Sequence, residues 1–112
     1  TINLPISRKD GSIIERCVSQ DGQIAITDYS VIKELDNMSI VKCVLQTGRT
    51  HQIRVHFSSI GHPLIGDFLY GSKSDFINRQ ALHSYHISFI HPISNKIMDI
   101  YCELPEDMKK IG

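Results

Sequence analysis

Residues 45–57 read Leu-Gln-Thr-Gly-Arg-Thr-His-Gln-Ile-Arg-Val-His-Phe, and this stretch decides the fold that we expect. It begins with the end of an apolar, β-branched run, which Gly48 breaks. Thr50 belongs to the residue types that cap helix N-termini, so a helix is predicted from there to about Ile60. Residues 61–63, Gly-His-Pro, should end the helix, because glycine favours the position just past a helix and proline cannot continue it.

The predicted helix has one apolar face. Ile53, Phe57 and Ile60 recur at helical spacing and are predicted to form the buried stripe. Arg54 is displaced from that stripe by about 100°, so its guanidinium can leave the core edge and enter a cleft. The nearby acid, Asp67, is predicted to brace its own loop by accepting backbone amide hydrogens. The residues alone therefore assign Arg54 no partner, and a surface arginine with its stem packed on Phe57 is the alternative.

The rest of the chain is rich in β-branched residues separated by turn signals, which is typical of antiparallel strands. Strands are predicted over residues 13–18, 24–33, 40–46, 82–90 and 96–104. Pro105, followed by two acids, predicts a terminal helical turn. The expected fold class is α+β, a mostly antiparallel mixed sheet with short helices, and the 112 residues are long enough for one domain with a single core.

The formal net charge is zero, which by itself does not indicate a nucleic-acid partner. The charges are nevertheless segregated, because no carboxylate lies between Asp36 and Asp67 while Lys42, Arg49 and Arg54 do. Such clustering can create a positive face on a neutral protein. Chance clustering stays open as the alternative.

Metal, disulfide and membrane classes are disfavoured. Cys17, Cys43 and Cys102 lie far apart in apolar surroundings, which predicts free buried thiols and a reducing, cytoplasmic location. The spacing of the six histidines fits no metal-binding motif, so no metal is expected. The apolar runs are far shorter than the roughly 20 residues that a membrane helix requires.

Arg49 and His51 flank the predicted helix start, where backbone amides and the helix dipole favour anions. No nucleotide-binding glycine motif and no hydrolase elbow occurs in the chain. The two residues are therefore predicted to contact one RNA phosphate. The alternative is that Arg49 donates to nearby carbonyls or pairs with a surface acid.

The motif also resembles a known family. Residues 45–57, together with residues 61–67 (Gly-His-Pro-Leu-Ile-Gly-Asp) and the Tyr-Gly pair at 70–71, resemble the third motif of RluA-type RNA pseudouridine synthases. Further stretches resemble the middle segment and the closing strands of that family; they are residues 4–6, 24–29, 79–85, 89–92 and 104–107. The resemblance covers nearly the whole chain and implies the C-terminal part of a pseudouridine synthase catalytic domain, residues 1–112.

In such enzymes an aspartate in a His-Arg-Leu-Asp segment attacks the target nucleotide, and the uracil leaves N1 and rejoins the ribose through C5, without metal or cofactor. The resemblance implies that Arg54 pairs with this aspartate, keeping it ionised and oriented. It also implies that Ile53 or Val55 forms the apolar wall beneath the flipped base. The substrate-binding residues expected from the resemblance are Arg49, His51, Gln52, Ile53 and Val55.

The chain departs from the family pattern because it contains neither the His-Arg-Leu-Asp segment nor the Lys-x-Tyr-x-Ala segment that supplies a stacking tyrosine. The resemblance leads us to expect that the parent protein is an isomerase acting on structured RNA. Ribosomal RNA is the expected substrate, and transfer RNA is the alternative. We expect the 112 residues alone to be inactive. Two hypotheses compete with this one. The chain is a non-catalytic RNA-binding remnant of the family, or it is a purely structural domain that associates through an exposed strand edge.

Overall fold

The structure, a computed structural model, describes residues 1–74, 77–90, 92–94 and 96–109. These residues form short strands and two helices in the order β1 (Ile2–Asn3), β2 (Ile6–Arg8), β3 (Arg16–Val18), β4 (Ile26–Glu34), β5 (Ser39–Leu45), α1 (Gln52–Ser59), β6 (His86–Ile90), β7 (Ile97–Tyr101) and α2 (Glu106–Lys109). Each pairing between these strands is antiparallel, so the predicted α+β class is confirmed.

The strands form three small sheets, with orders β1-β4-β5, β2-β3 and β6-β7. Pro5 lies between β1 and β2, and it has no N–H to continue a ladder. The chain therefore leaves β4 after β1 and pairs with β3 through β2 instead. This short crossover carries β3 to the side of α1, which is where the candidate site lies.

The predicted central hairpin is confirmed. β4 pairs with β5 from Thr27↔Leu45 to Glu34↔Ser39, with a bulge between Val31 and Lys33. The end of β4 near the core is buried, whereas Val31 and Ile32 at its outer end are exposed. The hairpin thus anchors α1 at one end and projects from the core at the other.

The predicted N-cap of α1 at Thr50 is wrong. The cap is His51, whose φ of 56° places it in the left-handed region and whose side chain makes no capping hydrogen bond. Gln52, the first residue of the helix, instead fixes the loop before it, because its Oε1 accepts the backbone N–H of Arg49 at 3.0 Å. The helix start is therefore shifted by one residue and stabilised from inside the protein.

The predicted buried stripe of α1 is also wrong in part. Phe57 is buried, but Ile53 is half-buried and Ile60 is 38% exposed beyond the helix end. The buried residues of α1 are Gln52, Val55, His56 and Phe57. Gln52 and His56 are polar, and they are buried because β4 and the N-terminal segment supply their hydrogen-bond partners. The spacing of apolar residues in the sequence cannot indicate such partners.

The core is small and includes polar groups. Ile6, Ala25 and Val55 form its apolar centre. His56, which is fully buried, joins Thr27 Oγ1 through Nδ1 at 2.9 Å and the Leu4 carbonyl through Nε2 at 2.8 Å. Helix α1 is thereby fixed to β4 and to the N-terminal segment by hydrogen bonds as well as by packing.

The C-terminal predictions largely hold. β6 and β7 form the expected hairpin, although residues 91 and 95 of its turn lie outside the described residues. The cysteines are free as predicted, but their predicted burial is wrong, since Cys17 and Cys43 are half-buried and Cys102 is exposed. Within the described ranges, no helix is both long and apolar enough to cross a membrane.

Candidate functional site

Arg54 and Asp67 form a bidentate ion pair. Arg54 Nε donates to Asp67 Oδ2 at 2.9 Å, and Nη2 donates to Oδ1 at 2.8 Å. The side chain of Asp67 is fully buried and that of Arg54 is 11% exposed. Arg54 therefore has a carboxylate partner within the chain, which the sequence analysis did not assign to it.

Asp67 holds both its own loop and Arg54. Its Oδ1 also accepts the backbone N–H groups of Leu69 and Tyr70, each at 3.3 Å, which confirms the predicted loop brace. Burial acts most strongly on its pKa and raises it, but the hydrogen bonds from Arg54 and the two amides outweigh burial, so the pKa lies below its usual range. Asp67 is therefore ionised at neutral pH and is not a proton donor.

Tyr70 lies beneath Arg54 and connects it to the rest of the site. The guanidinium carbon of Arg54 is 5.1 Å from the centre of the Tyr70 ring, within cation–π range. Tyr70 Oη accepts the backbone N–H of Arg16 at 2.9 Å and lies 2.7 Å from His51 Nδ1. Burial raises the pKa of Tyr70, so its hydroxyl keeps its proton.

The protonation state of His51 follows from these contacts. Burial lowers its pKa first, and the positive charges of Arg54 and Arg16 lower it further, so the ring is neutral at pH 7. Tyr70 already accepts the Arg16 amide, so we infer that its own proton is donated to His51 Nδ1. In that tautomer the hydrogen of His51 is on Nε2, where it can be donated to an acceptor outside the cluster.

Gln52, predicted to bind substrate, uses its amide inside the protein. Oε1 accepts from Thr47 Oγ1 at 2.7 Å and from the Arg49 N–H at 3.0 Å. Nε2 donates to the Ile26 carbonyl at 3.0 Å and to Thr27 Oγ1 at 2.9 Å. These bonds tie the helix start to β4 and to the loop before α1. A direct substrate contact by Gln52 stays a prediction.

Ile53 and Val55 lie in different environments. Val55 is 4% exposed in the core with Ile6 and Ala25. Ile53 is half-buried and lines an apolar groove that also contains Phe57. Of the two, Ile53 has the accessible surface that contact with a base requires; that contact itself stays a prediction.

Arg49 donates from Nε to the Ile24 carbonyl at 2.8 Å, which is the alternative considered from the sequence. Its guanidinium also lines a surface cleft, together with Thr50. The bond to Ile24 uses one of five donors, so the others can still face an anion.

Together these contacts present one arginine in a fixed orientation. Asp67 occupies Nε and Nη2 of Arg54, and among the described residues no acceptor bonds to Nη1. Nη1 can therefore hold a second carboxylate or a phosphate without disturbing the pair. In the part of the chain that the structure describes, no three His, Cys, Asp or Glu side chains come together as metal ligands.

Tyr70 and Arg16 are the residues of this cluster that the sequence analysis missed. Tyr70 entered only as part of the Tyr-Gly pair in the resemblance, with no role assigned to it, and Arg16 was not considered. The one local signal is that Tyr70 follows Asp67 by three residues, as amide donors of an Asx-type loop do. The bond between Arg16 and Tyr70 joins residues 54 apart in sequence, so no local pattern indicates it.

Residues 1–59 match the family model described as RNA pseudouridylate synthase. The chain belongs to this family. It is 53% identical to an uncharacterized RNA pseudouridine synthase, YjbO, of Bacillus subtilis over 99% of its length, and 43% identical to the ribosomal large subunit pseudouridine synthase D of Zymomonas mobilis over 96%. These similarities confirm the predicted RluA-type family.

A solved structure supports the fold. The chain resembles human RNA pseudouridylate synthase domain containing 1, with a TM-score of 0.78 and 28% identity over 91% of this chain and 46% of that one. The chain spans 39% and 38% of the Bacillus and Zymomonas relatives. What the whole protein does is therefore argued below as a proposal.

Proposed function

We propose that the protein containing these 112 residues isomerises uridine to pseudouridine in structured RNA. The observation that carries the proposal is the unused Nη1 of Arg54, on a guanidinium that Asp67 and Tyr70 hold in one orientation. Membership of the RNA pseudouridylate synthase family supports the reaction class.

In the proposed reaction, an aspartate from a His-Arg-Leu-Asp segment outside these 112 residues attacks the target nucleotide. The bond between uracil N1 and ribose C1′ breaks, the base turns, a bond forms between C5 and C1′, and the bond to the aspartate breaks, so that the free carboxylate is regenerated. C5 loses a proton and N1 gains one, so the product is an isomer of the substrate. Arg54 Nη1 pairs with the attacking carboxylate and keeps it ionised, since an adjacent positive charge lowers a carboxyl pKa.

The other residues position the substrate. A uridine must leave its stack to reach an aspartate in a cleft, and apolar side chains receive such flipped bases. Ile53 supplies accessible apolar surface, and His51 Nε2 supplies a neutral donor near Arg54. Ribosomal RNA is the proposed substrate, supported by the name of the Zymomonas relative. We further propose a cytoplasmic location, where the three free cysteines stay reduced.

The test compares two arginine variants of the full-length protein. Arg54→Ala should abolish pseudouridine formation in ribosomal RNA, measured by nucleoside mass spectrometry after chromatography, while RNA binding is largely retained. Arg79→Ala is the matched control, because Arg79 makes a similar bidentate pair with Asp107 away from this cluster. Unchanged turnover in Arg54→Ala would remove Arg54 from the proposed role.

Two further measurements separate the competing hypotheses. Residues 1–112 alone should form no pseudouridine, because the nucleophile segment is absent from them. If the wild-type full-length protein binds RNA but forms no pseudouridine in any RNA fraction, the non-catalytic remnant is the better account.

A further inference from the structure

The surface cleft that Arg49 and Thr50 line lies between β2, β3 and the start of α1. Its volume is about 350 Å³. Three arginines, Arg8, Arg16 and Arg49, line it together with Thr50, against one carboxylate, Asp21. The cleft is therefore positively charged, although the chain as a whole is neutral.

The strand register brings two of these arginines together. Arg8 in β2 is the direct cross-strand partner of Arg16 in β3, so both side chains emerge on the same face of the ribbon. Like charges directly opposite each other destabilise a strand pair. An anion bound between them would relieve that repulsion.

Most of the donors in the cleft are unused. The side chain of Arg8 makes no hydrogen bond or ion pair with the described residues. The guanidinium of Arg16 donates through Nη1 alone, to backbone carbonyls of the preceding loop at 3.2–3.4 Å. Arg49 uses Nε on the Ile24 carbonyl. The backbone thus holds two of the three guanidinium groups while leaving their other N–H groups for a ligand.

Nearby acids do not neutralise this charge. Glu15, next to Arg16, pairs with Lys9 at 3.0 Å. Asp21 is a single exposed carboxylate facing three guanidinium groups. A ligand with several negative charges along an extended chain fits this arrangement best, since a single phosphodiester carries one negative charge and leaves part of the positive charge of the three arginines uncompensated.

We propose that this cleft binds the phosphodiester backbone of the RNA strand next to the target uridine. The inference rests on the proposed function for its choice of RNA. The position of the RNA strand relative to the target uridine is inferred from β3. The side chain of Arg16 lines the cleft, and the backbone N–H of the same residue donates to Tyr70, whose ring lies beneath Arg54. A strand that runs through the cleft therefore passes directly beside the Arg54 cluster.

The test is the salt dependence of RNA binding by the full-length protein. The probe is a fluorescently labelled single-stranded oligouridylate, titrated at NaCl concentrations of about 50 to 200 mM. Each lost phosphate contact should flatten the plot of log K against log salt by about 0.7. Arg8→Gln and Arg49→Gln should each show this change, and the double variant about twice as much. Arg8→Lys keeps the charge and should keep the wild-type slope.

Lys96→Gln is the matched control, because Lys96 is exposed, lies just before β7 and does not line the cleft. A slope for Arg8→Gln equal to that of Lys96→Gln would overturn the proposal. Equally tight binding of an oligoaspartate of the same charge would overturn the assignment to RNA. Because the readout is binding and not turnover, a flattened slope in a protein that forms no pseudouridine would support the cleft while rejecting the proposed reaction.

Discussion

Among the residues that the structure describes, two arginine–aspartate pairs have nearly the same geometry and very different surroundings. Arg54 and Asp67 are joined by two hydrogen bonds of 2.9 and 2.8 Å, and Arg79 and Asp107 by two of 3.1 and 2.9 Å. The side chains of the first pair are 11% and 0% exposed, and those of the second are 38% and 40% exposed. Distances alone would rank the pairs as equivalent.

Because of their different burial, the two ion pairs differ in their contribution to stability and in their structural role. Water screens the second pair, so its net contribution to stability is about 0.2–1 kcal/mol. In the first pair each ion has given up its hydration and depends on the other, so the loss of one partner is costly. The buried pair thereby keeps the guanidinium of Arg54 in one orientation, whereas the exposed pair links a surface loop to α2.

The largest expected difference is in the response to removal of the aspartate. Asp67→Ala should lower the free energy of unfolding by about 3 to 5 kcal/mol, because Arg54 and two loop amides lose their acceptor. Asp107→Ala should lower it by about 1 kcal/mol or less. Denaturant unfolding of the full-length variants measures both. Equal losses would mean that burial does not separate the pairs.

Protonation of Asp67 in acid should lower the free energy of unfolding. Its carboxyl has a lower pKa in the folded protein than its ordinary value of 3.8, so the unfolded chain takes up the proton first as the pH falls. The stability from this group is therefore complete above the ordinary value and is lost below it, toward the folded pKa. Circular dichroism along an acid titration measures this loss. Asp67→Asn should reduce it, and an unchanged acid profile in that variant would contradict the assignment.

Much of the scaffold around these pairs could be predicted from the sequence, since β-branched runs and turn residues are local signals. The β4–β5 hairpin, the C-terminal hairpin and the α+β class were predicted correctly. The start of α1 was not, because His51 adopts a left-handed conformation, which is uncommon for residues other than glycine, and Thr50 offered a commoner capping residue.

The site was predicted less completely than the fold. The motif led to Arg54, but its pairing with Asp67 depends on a loop in which Gly66 has a φ of +78°. A Cβ at Gly66 would meet the backbone oxygen of Arg79 at 2.1 Å, a close approach between distant segments. The internal hydrogen bonds of the Gln52 amide were not predicted, because the sequence does not reveal which polar side chains face the core.

A smaller effect is expected at the tyrosine beneath the buried pair. Tyr70→Phe keeps the ring under Arg54 but leaves the Arg16 amide and His51 Nδ1 without their partner. The expected cost is about 1–2 kcal/mol. Nitrogen NMR of the His51 ring checks the direction of this hydrogen bond in the wild-type protein, where Nε2 should carry the hydrogen and Nδ1 should accept from Tyr70 Oη. A wild-type ring with its hydrogen on Nδ1 would contradict the proposed direction of the hydrogen bond.

The smallest effect is the response of the two pairs to salt. Raising NaCl to about 1 M shortens the screening length to roughly 3 Å and should remove most of the stability difference between wild type and Asp107→Ala, itself about 0.5 kcal/mol. The difference between wild type and Asp67→Ala should persist. Thermal unfolding at low and high salt measures both. An Asp67→Ala penalty that disappears in salt would mean that water reaches the pair.

The hydrogen bond between Arg16 and Tyr70 has a consequence for how the protein folds. It joins residues 54 apart in sequence, and such long-range contacts must first offset the entropy of closing a long loop. Arg54 and Asp67, only 13 residues apart, can pair while β2 and β3 are still undocked. In a partly folded chain the ion pair would then exist without an anchored tyrosine and without the three-arginine cleft. Docking of the β2–β3 ribbon would complete both surfaces in one step, so the RNA contacts that we propose for the cleft require the docked ribbon.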